Sequence, residues 1–295
     1  MIRLLVIPVV SLALLALPGA AAACAACACG DPTMTVMGTG KSFGGRLRLS
    51  TEWRRRAETT PGAHGPTRIV EDRFAAGISW APIDAVQLGL TLPLVQRTVD
   101  TATLARDRVL HVGDVDLLAR WFIFGARGRA THQLGLTAGL RLPTGPEVSG
   151  ADGRPLPLDG QPGTGGYLPS LGAWYGLFAH PWSLHLALSG VTATAGHGGF
   201  APGAAALGTA MGQYQWGTAV ALRAGLDGRW TARDTVDGQT VHGSGGPTLF
   251  AAGGAVAGVT EDMLAHAMLR WPVLDERRSG ERAAPSVSLG LTLDL

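Results

Sequence analysis

The sequence predicts an all-β fold: an up-and-down antiparallel transmembrane β-barrel of about 12 strands behind an N-terminal signal peptide. Three observations predict it. Apolar and polar residues alternate with a period of two along most of the chain. The connections between alternating segments are short and long in turn. Aromatic residues fall at both ends of the segments. The reading divides the chain into a signal peptide at 1–23, a cysteine-containing tail at 24–42 and a barrel at 43–295.

The signal peptide is read from Arg3, the apolar run Leu4–Leu17, the Pro18-Gly19 break and the small residues Ala20–Ala23. The run is too short to cross a bilayer as a helix, which needs about 20 apolar residues. An anchor helix is the other reading of this stretch. Export makes the envelope or the exterior the expected compartment, and an exported barrel points to the outer membrane of a Gram-negative bacterium.

Twelve alternating segments follow, at 43–56, 70–81, 85–98, 112–124, 131–142, 165–178, 183–194, 203–214, 218–233, 246–259, 263–273 and 285–295. The third is typical: Val86, Leu88, Leu90, Leu92 and Leu94 alternate with Gln87, Gly89, Thr91 and Pro93. Successive side chains of a strand point to opposite faces, so this pattern makes one face apolar. The eighth segment is mostly Ala and Gly and reads as a strand or as a loop. As a loop it leaves an odd strand count, unusual for a bacterial single-chain barrel.

Short connections fall at Ala81–Asp84, Gly125–Arg129, His180–Trp182, Gln215–Gly217 and Thr260–Asp262. Long ones fall at Ala57–Ile69, Val99–His111, Pro143–Thr164, Ala195–Ala201, Asp234–Gly245 and Leu274–Ala284. Outer-membrane barrels show this regular alternation, whereas a Greek-key sandwich has no reason to. Trp80, Phe124, Trp182 and Trp216 sit at the short-turn ends, and Trp53, Trp230 and Trp271 near the long-loop ends. Two such levels match the interfacial girdles of a barrel, where an indole keeps an apolar body in lipid and a wet N–H.

Composition narrows the function. Charged residues are 16% of the chain against about 25% in soluble domains. A net charge of +2 gives no electrostatic case for nucleic-acid binding. Periodicity alone leaves open which face is inside. The polar faces carry charges of both signs among Gly, Ser and Thr, which suits a wetted lumen and also a solvated sandwich face. With the export signal and the loop alternation, the residues expected to face the lumen and set selectivity are Arg48, Glu52, Arg73, Asp116, Arg120, Arg141, Arg223 and Arg229.

The run LPLVQRTVD at Leu92–Asp100 is followed by HVGDVDLLARWFIF at His111–Phe124 and LRLPTG at Leu140–Gly145. A Gly/Pro-rich stretch then ends in GQPGTGGYLPSLGAWYG at Gly160–Gly176. Later come GLDGRWTARD, PTLF and LRWPV. In this order and spacing the motifs resemble the outer-membrane "transporter" barrels grouped under the MetA pathway of phenol degradation. The resemblance covers Phe43 to Leu295 and implies an outer-membrane barrel that passes small, hydrophobic or aromatic molecules. Such barrels end in an aromatic residue, whereas this chain ends at Leu295.

Cys24, Cys27 and Cys29 form C-x2-C-x-C and are the only cysteines. Thiolates at this spacing suit a soft metal, Cu(I) or Zn. The other readings are a single disulfide and lipid attachment at Cys24. A metal-handling or sensing protein anchored by its barrel is the alternative function. No catalytic constellation emerges. The eight histidines form no HExxH, and the absence of asparagine excludes a Ser-His-Asn barrel lipase. Ser189 and His185 share a strand face but stand roughly 13 Å apart, too far for a nucleophile and its base. The segment Pro143–Gly166 is long for a connection, and such loops are uncommon unless functional. It reads as an inward constriction or as an ordinary outer loop. The expected partners are membrane lipid and a small solute.

Overall fold

A computed structural model describes residues 44–295, apart from 63–64, 102–105, 127–129, 151–152, 154, 157 and 218. Its wall is built from β1 (Leu47–Thr60), β2 (Thr67–Ile83), β3 (Val86–Asp100), β4 (Arg106–Val112), β5 (Val115–Phe124), β6 (His132–Leu142), β7 (Leu168–Ala179) and β8 (Trp182–Val191). After a two-residue bridge, β9 (Phe200–Ala201), it continues with β10 (Ala205–Trp216) and β11 (Val220–Thr231). The loop hairpin β12 (Thr235–Val236) and β13 (Gln239–Thr240) leads to β14 (Gly246–Gly258) and β15 (Met263–Asp275). A short β16 (Arg282–Ala283) precedes the last strand, β17 (Ser286–Asp294).

Each wall strand pairs antiparallel with its sequence neighbour, and β1 pairs with both β2 and β17, so the sheet closes on itself. β4 and β5 are two halves of one stave, both paired to β3 and interrupted at Gly113-Asp114. Counted this way the barrel has twelve staves. Closure leaves no open edge, which is what a backbone immersed in lipid requires. At the seam, the Leu47 and Leu295 amides each donate to the other's carbonyl at 3.2 and 2.8 Å. The terminal leucine therefore closes the ladder although it is not aromatic.

All twelve expected segments are strands, including the Ala/Gly-rich eighth, which runs the length of β10. Two connections are shorter than the sequence predicts. β1–β2 and β3–β4 remain paired up to Thr60↔Thr67 and Asp100↔Arg106, so most of 57–69 and 99–111 is strand. Cross-strand ion pairs run along these extensions: Arg56 of β1 and Arg97 of β3 both bind Glu71 of β2, at 2.9 and 2.7 Å, and Arg106 of β4 binds Asp100 of β3 at 2.5 Å. A period-two reading finds apolar alternation but not a ladder held by charge.

The wall's polarity is the reverse of a soluble protein's. Phe74, Ile78, Leu88, Leu90, Leu92, Leu134, Leu136, Leu188, Leu222, Leu269, Leu289 and Leu291 are exposed, whereas Arg48, Glu71, Arg97, Asp116, Arg120, Arg223, Asp227 and Arg270 are buried. The apolar face therefore points out. Trp80, Phe124, Trp182 and Trp216 are exposed at the short-turn end, and Trp230 and Trp271 near the other. Trp53 lies on the same outer face as a half-buried residue, its indole donating to Asp72 at 3.2 Å.

Candidate functional site

Alternation puts every second residue of each stave inside the barrel, and the closed wall brings those residues together. The eight residues expected to face the lumen all lie on the inner side of their strands. Arg73 of β2 and Arg141 of β6 converge on Asp116 of β5, at 3.1 and 2.6 Å. Arg48 pairs with Asp294 through Nε and Oδ1 at 2.6 Å, and Arg46 reaches the same carboxylate. Glu52 faces His266 of β15 at 3.6 Å. Arg223 donates to the Gln213 amide oxygen at 2.7 Å, and Arg229 to Thr231 Oγ1 at 3.1 Å. Arg120 stands apart, its guanidinium 5.2 Å from the centre of the Trp174 indole. The eight are thus one converged triad and five separate stations, spread along the lumen.

Sequence reasoning missed several lumen residues that the structure adds. Arg97, with Glu71 and Arg56, forms a second charge cluster near the long-loop end. Its position is legible afterwards, because Arg97 keeps the phase opposite to Leu88, Leu90, Leu92 and Leu94. Asp227 and Arg270 pair across the lumen face at 2.9 Å, with Thr209 donating to the same carboxylate. Trp174 is the indole that leaves the girdles: it is 4% exposed and packs edge-on against Phe122, ring centres 5.1 Å apart. The signal was available, since Trp174 shares its strand face with Ser170 and Gly172 while Leu171 and Tyr175 take the other.

The long connection after β6 is built into the molecule. Asp114, at the break between β4 and β5, accepts from the Gly145 amide at 3.0 Å, the Thr164 amide at 2.8 Å and the Thr164 hydroxyl at 3.2 Å. Gln161 is 1% exposed; its side chain holds the Val148 amide and the Val148 and Leu156 carbonyls, while Arg97 donates to its carbonyl. Glycine is required at 163, where a Cβ would stand 2.3 Å from an Asp114 oxygen. Arg97 and Val95 lie on the inner side of β3, so the connection folds inward rather than standing outside. Phe200, Leu158 and Val236, from three different connections, pack with Leu168, Val191 and Leu207 and narrow the same end.

On the outer face, Phe74, Leu92, Leu94, Val112, Ala255, Ala265, Leu289 and Leu291 line one shallow apolar hollow of about 860 Å³. Staves from β14 round to β4 share it. On the opposite, inner face of β17, Gly290 leaves room for the His266 ring, from which a Cβ would stand 2.3 Å.

A closed antiparallel sheet, apolar outside and charged inside, defines a transmembrane β-barrel. Comparison with solved structures finds the same fold in outer-membrane barrels. A COG4313 outer-membrane channel from Pseudomonas putida F1 matches with a TM-score of 0.73 at 16% identity, over 88% of this chain and 98% of that one. The translocator domain of the autotransporter NalP from Neisseria meningitidis matches at 0.54 and 15%, over 88% and 92%. No protein-family profile and no curated protein matches the sequence. The likeness is therefore one of fold. Cys24, Cys27 and Cys29, the signal peptide and the tail lie outside the described residues.

Proposed function

We propose that this protein is an outer-membrane channel that passes small solutes without chemistry. The observation that carries the reading is the inverted wall: a closed twelve-stave barrel whose inner face holds arginines and carboxylates and whose outer face is leucine and tryptophan. Charge buried from lipid is expensive and is kept where it faces partners or a water-filled path. The inward connections at the long-loop end act as a constriction, and the lumen charges set selectivity through the field they create. The fold shared with a COG4313 outer-membrane channel supports this reading.

Conductance of the refolded protein in a planar bilayer tests it. Stable current steps with a measurable reversal potential are expected, and Arg141→Gln should shift that potential. A folded barrel that never conducts overturns the channel reading.

A further inference from the structure

Among the described residues, one lumen arginine, Arg120, has neither an ion pair nor a hydrogen-bond partner. It is 5% exposed. Every other arginine named above as facing the lumen has a carboxylate, amide or hydroxyl partner. The contact of Arg120 is the face of Trp174, whose indole Nε1 is also buried without a partner. His185 stacks on the same indole, ring centres 6.0 Å apart and planes 23° apart, and its Nε2 is buried and unpartnered too. Three buried nitrogens, from β5, β7 and β8, thus gather around one indole without a hydrogen-bond partner among the described residues.

The surroundings are cationic. Arg48 lies within electrostatic reach of Arg120, and Arg120 and Arg223 lie within reach of His185. All sit within five residues of the short-turn ends of their strands. Of the inward carboxylates at this end among the described residues, Asp294 is bound by Arg46 and Arg48, and Glu52 faces His266 at 3.6 Å on the β1–β15 side of the lumen, away from β5, β7 and β8. A buried guanidinium without an anion is costly, because desolvation is not repaid by pairing. A guanidinium held over an indole face by a cation–π contact still has N–H groups to offer a planar two-oxygen acceptor. Gly135 preserves the arrangement, since a Cβ there would stand 2.6 Å from Trp174 Nε1.

We propose that Arg120, Trp174 and His185 form a binding station in the lumen for a small organic monocarboxylate, with the carboxylate on the guanidinium edge and its apolar body against Phe122 and the indole. The station rests on the channel reading and names its solute class. A carboxylate supplies the missing acceptors and the missing negative charge at once, whereas a neutral solute supplies only the first.

The test pairs binding with conduction. Sodium acetate and sodium benzoate are titrated by calorimetry into refolded protein in detergent, with chloride as the background anion. The same salts are applied to channels in planar bilayers. Benzoate is expected to bind and to reduce chloride current, acetate more weakly. Arg120→Gln should weaken benzoate at least tenfold and lower the chloride-to-sodium permeability ratio. Arg120→Lys should keep that ratio but lose benzoate, because an ammonium neither stacks nor presents a two-donor edge. Heat-modifiable gel migration reports that each variant is a folded barrel, and Trp174→Phe provides a second variant that leaves the charge in place. Benzoate binding lost in Arg120→Gln supports the station even if no current flows, and that result overturns the channel reading alone. Equal benzoate affinity in wild type and Arg120→Gln, or no binding in a barrel that conducts, overturns the station.

Discussion

Replacing Asp114 by alanine should release the connection that narrows the long-loop end, without opening the barrel. The carboxylate is 5% exposed and accepts three hydrogen bonds, two of them from the backbone amides of Gly145 and Thr164. A hydrogen bond to a charged group contributes about 1.5–3 kcal/mol, and a buried donor left unpaired costs about 1–3 kcal/mol. Water entering the vacated space replaces part of this, so we take about 3 kcal/mol as the net loss. At about 1.4 kcal/mol per tenfold, the detached population of the 143–167 segment rises on the order of 100-fold. The wall is untouched, because Asp114 lies in the break between β4 and β5 and not in a ladder. Amide hydrogen exchange should show Gly145 and Thr164 losing protection while Leu117 and Leu140, paired on β5 and β6, keep theirs. Single-channel recordings should show larger or more frequent high-conductance steps. Unchanged protection at Gly145 and Thr164 would refute the claim that Asp114 pins this connection.

Other outcomes follow from the same geometry. Asp116→Ala should destabilise the folded barrel by roughly 3–5 kcal/mol, because it leaves Arg73 and Arg141 buried without their shared carboxylate; equal urea midpoints for variant and parent would contradict this. Leu90→Arg, on the exposed face of β3, should cost about 2–4 kcal/mol in a bilayer if Leu90 lies near the midplane. Refolding yield into vesicles of graded thickness measures it. Two carboxylates beyond the long-loop girdle, Asp234 in a connection and Asp275 as the last residue of β15, should respond to acid with opposite sign. Burial pushes Asp234 up, with the Gly203 amide, Arg229 and Ser244 only partly offsetting it. Its folded form holds a proton more tightly than the unfolded chain, so its neighbourhood gains stability as pH falls toward the raised value. Asp275 is also pushed up by burial, but hydrogen bonds from Arg277 and the Ala283 amide, with the Arg277 charge, hold it lower overall. Its contribution is full above the ordinary carboxylate range near 3.9 and is lost as pH falls through its lowered value. Exchange protection at Ala283 should therefore survive mild acid and fail in strong acid, while Asp234→Asn should abolish the acid-dependent gain around 234–244.

The sequence by itself determined the staves and their number, and the rhythm of their connections except where β1–β2 and β3–β4 pair on into the expected loops. Period-two alternation follows from strand geometry and needs no tertiary information, and a register slip of one residue would turn leucine inward on every stave. The girdle tryptophans were legible for the same reason. The inner face was legible only as a set of candidates. Arg73, Asp116 and Arg141 are far apart in the chain, and nothing local says that β2, β5 and β6 bring them to one carboxylate. Tertiary structure alone decided that the 143–167 connection turns inward, because Asp114 sits at a strand break that alternation does not mark and its partners are backbone amides of another segment. It also decided that Arg120 is left with an indole for company. A charge is balanced or unbalanced only by what the closed wall places beside it, and that is a property of three-dimensional neighbours, not of sequence spacing.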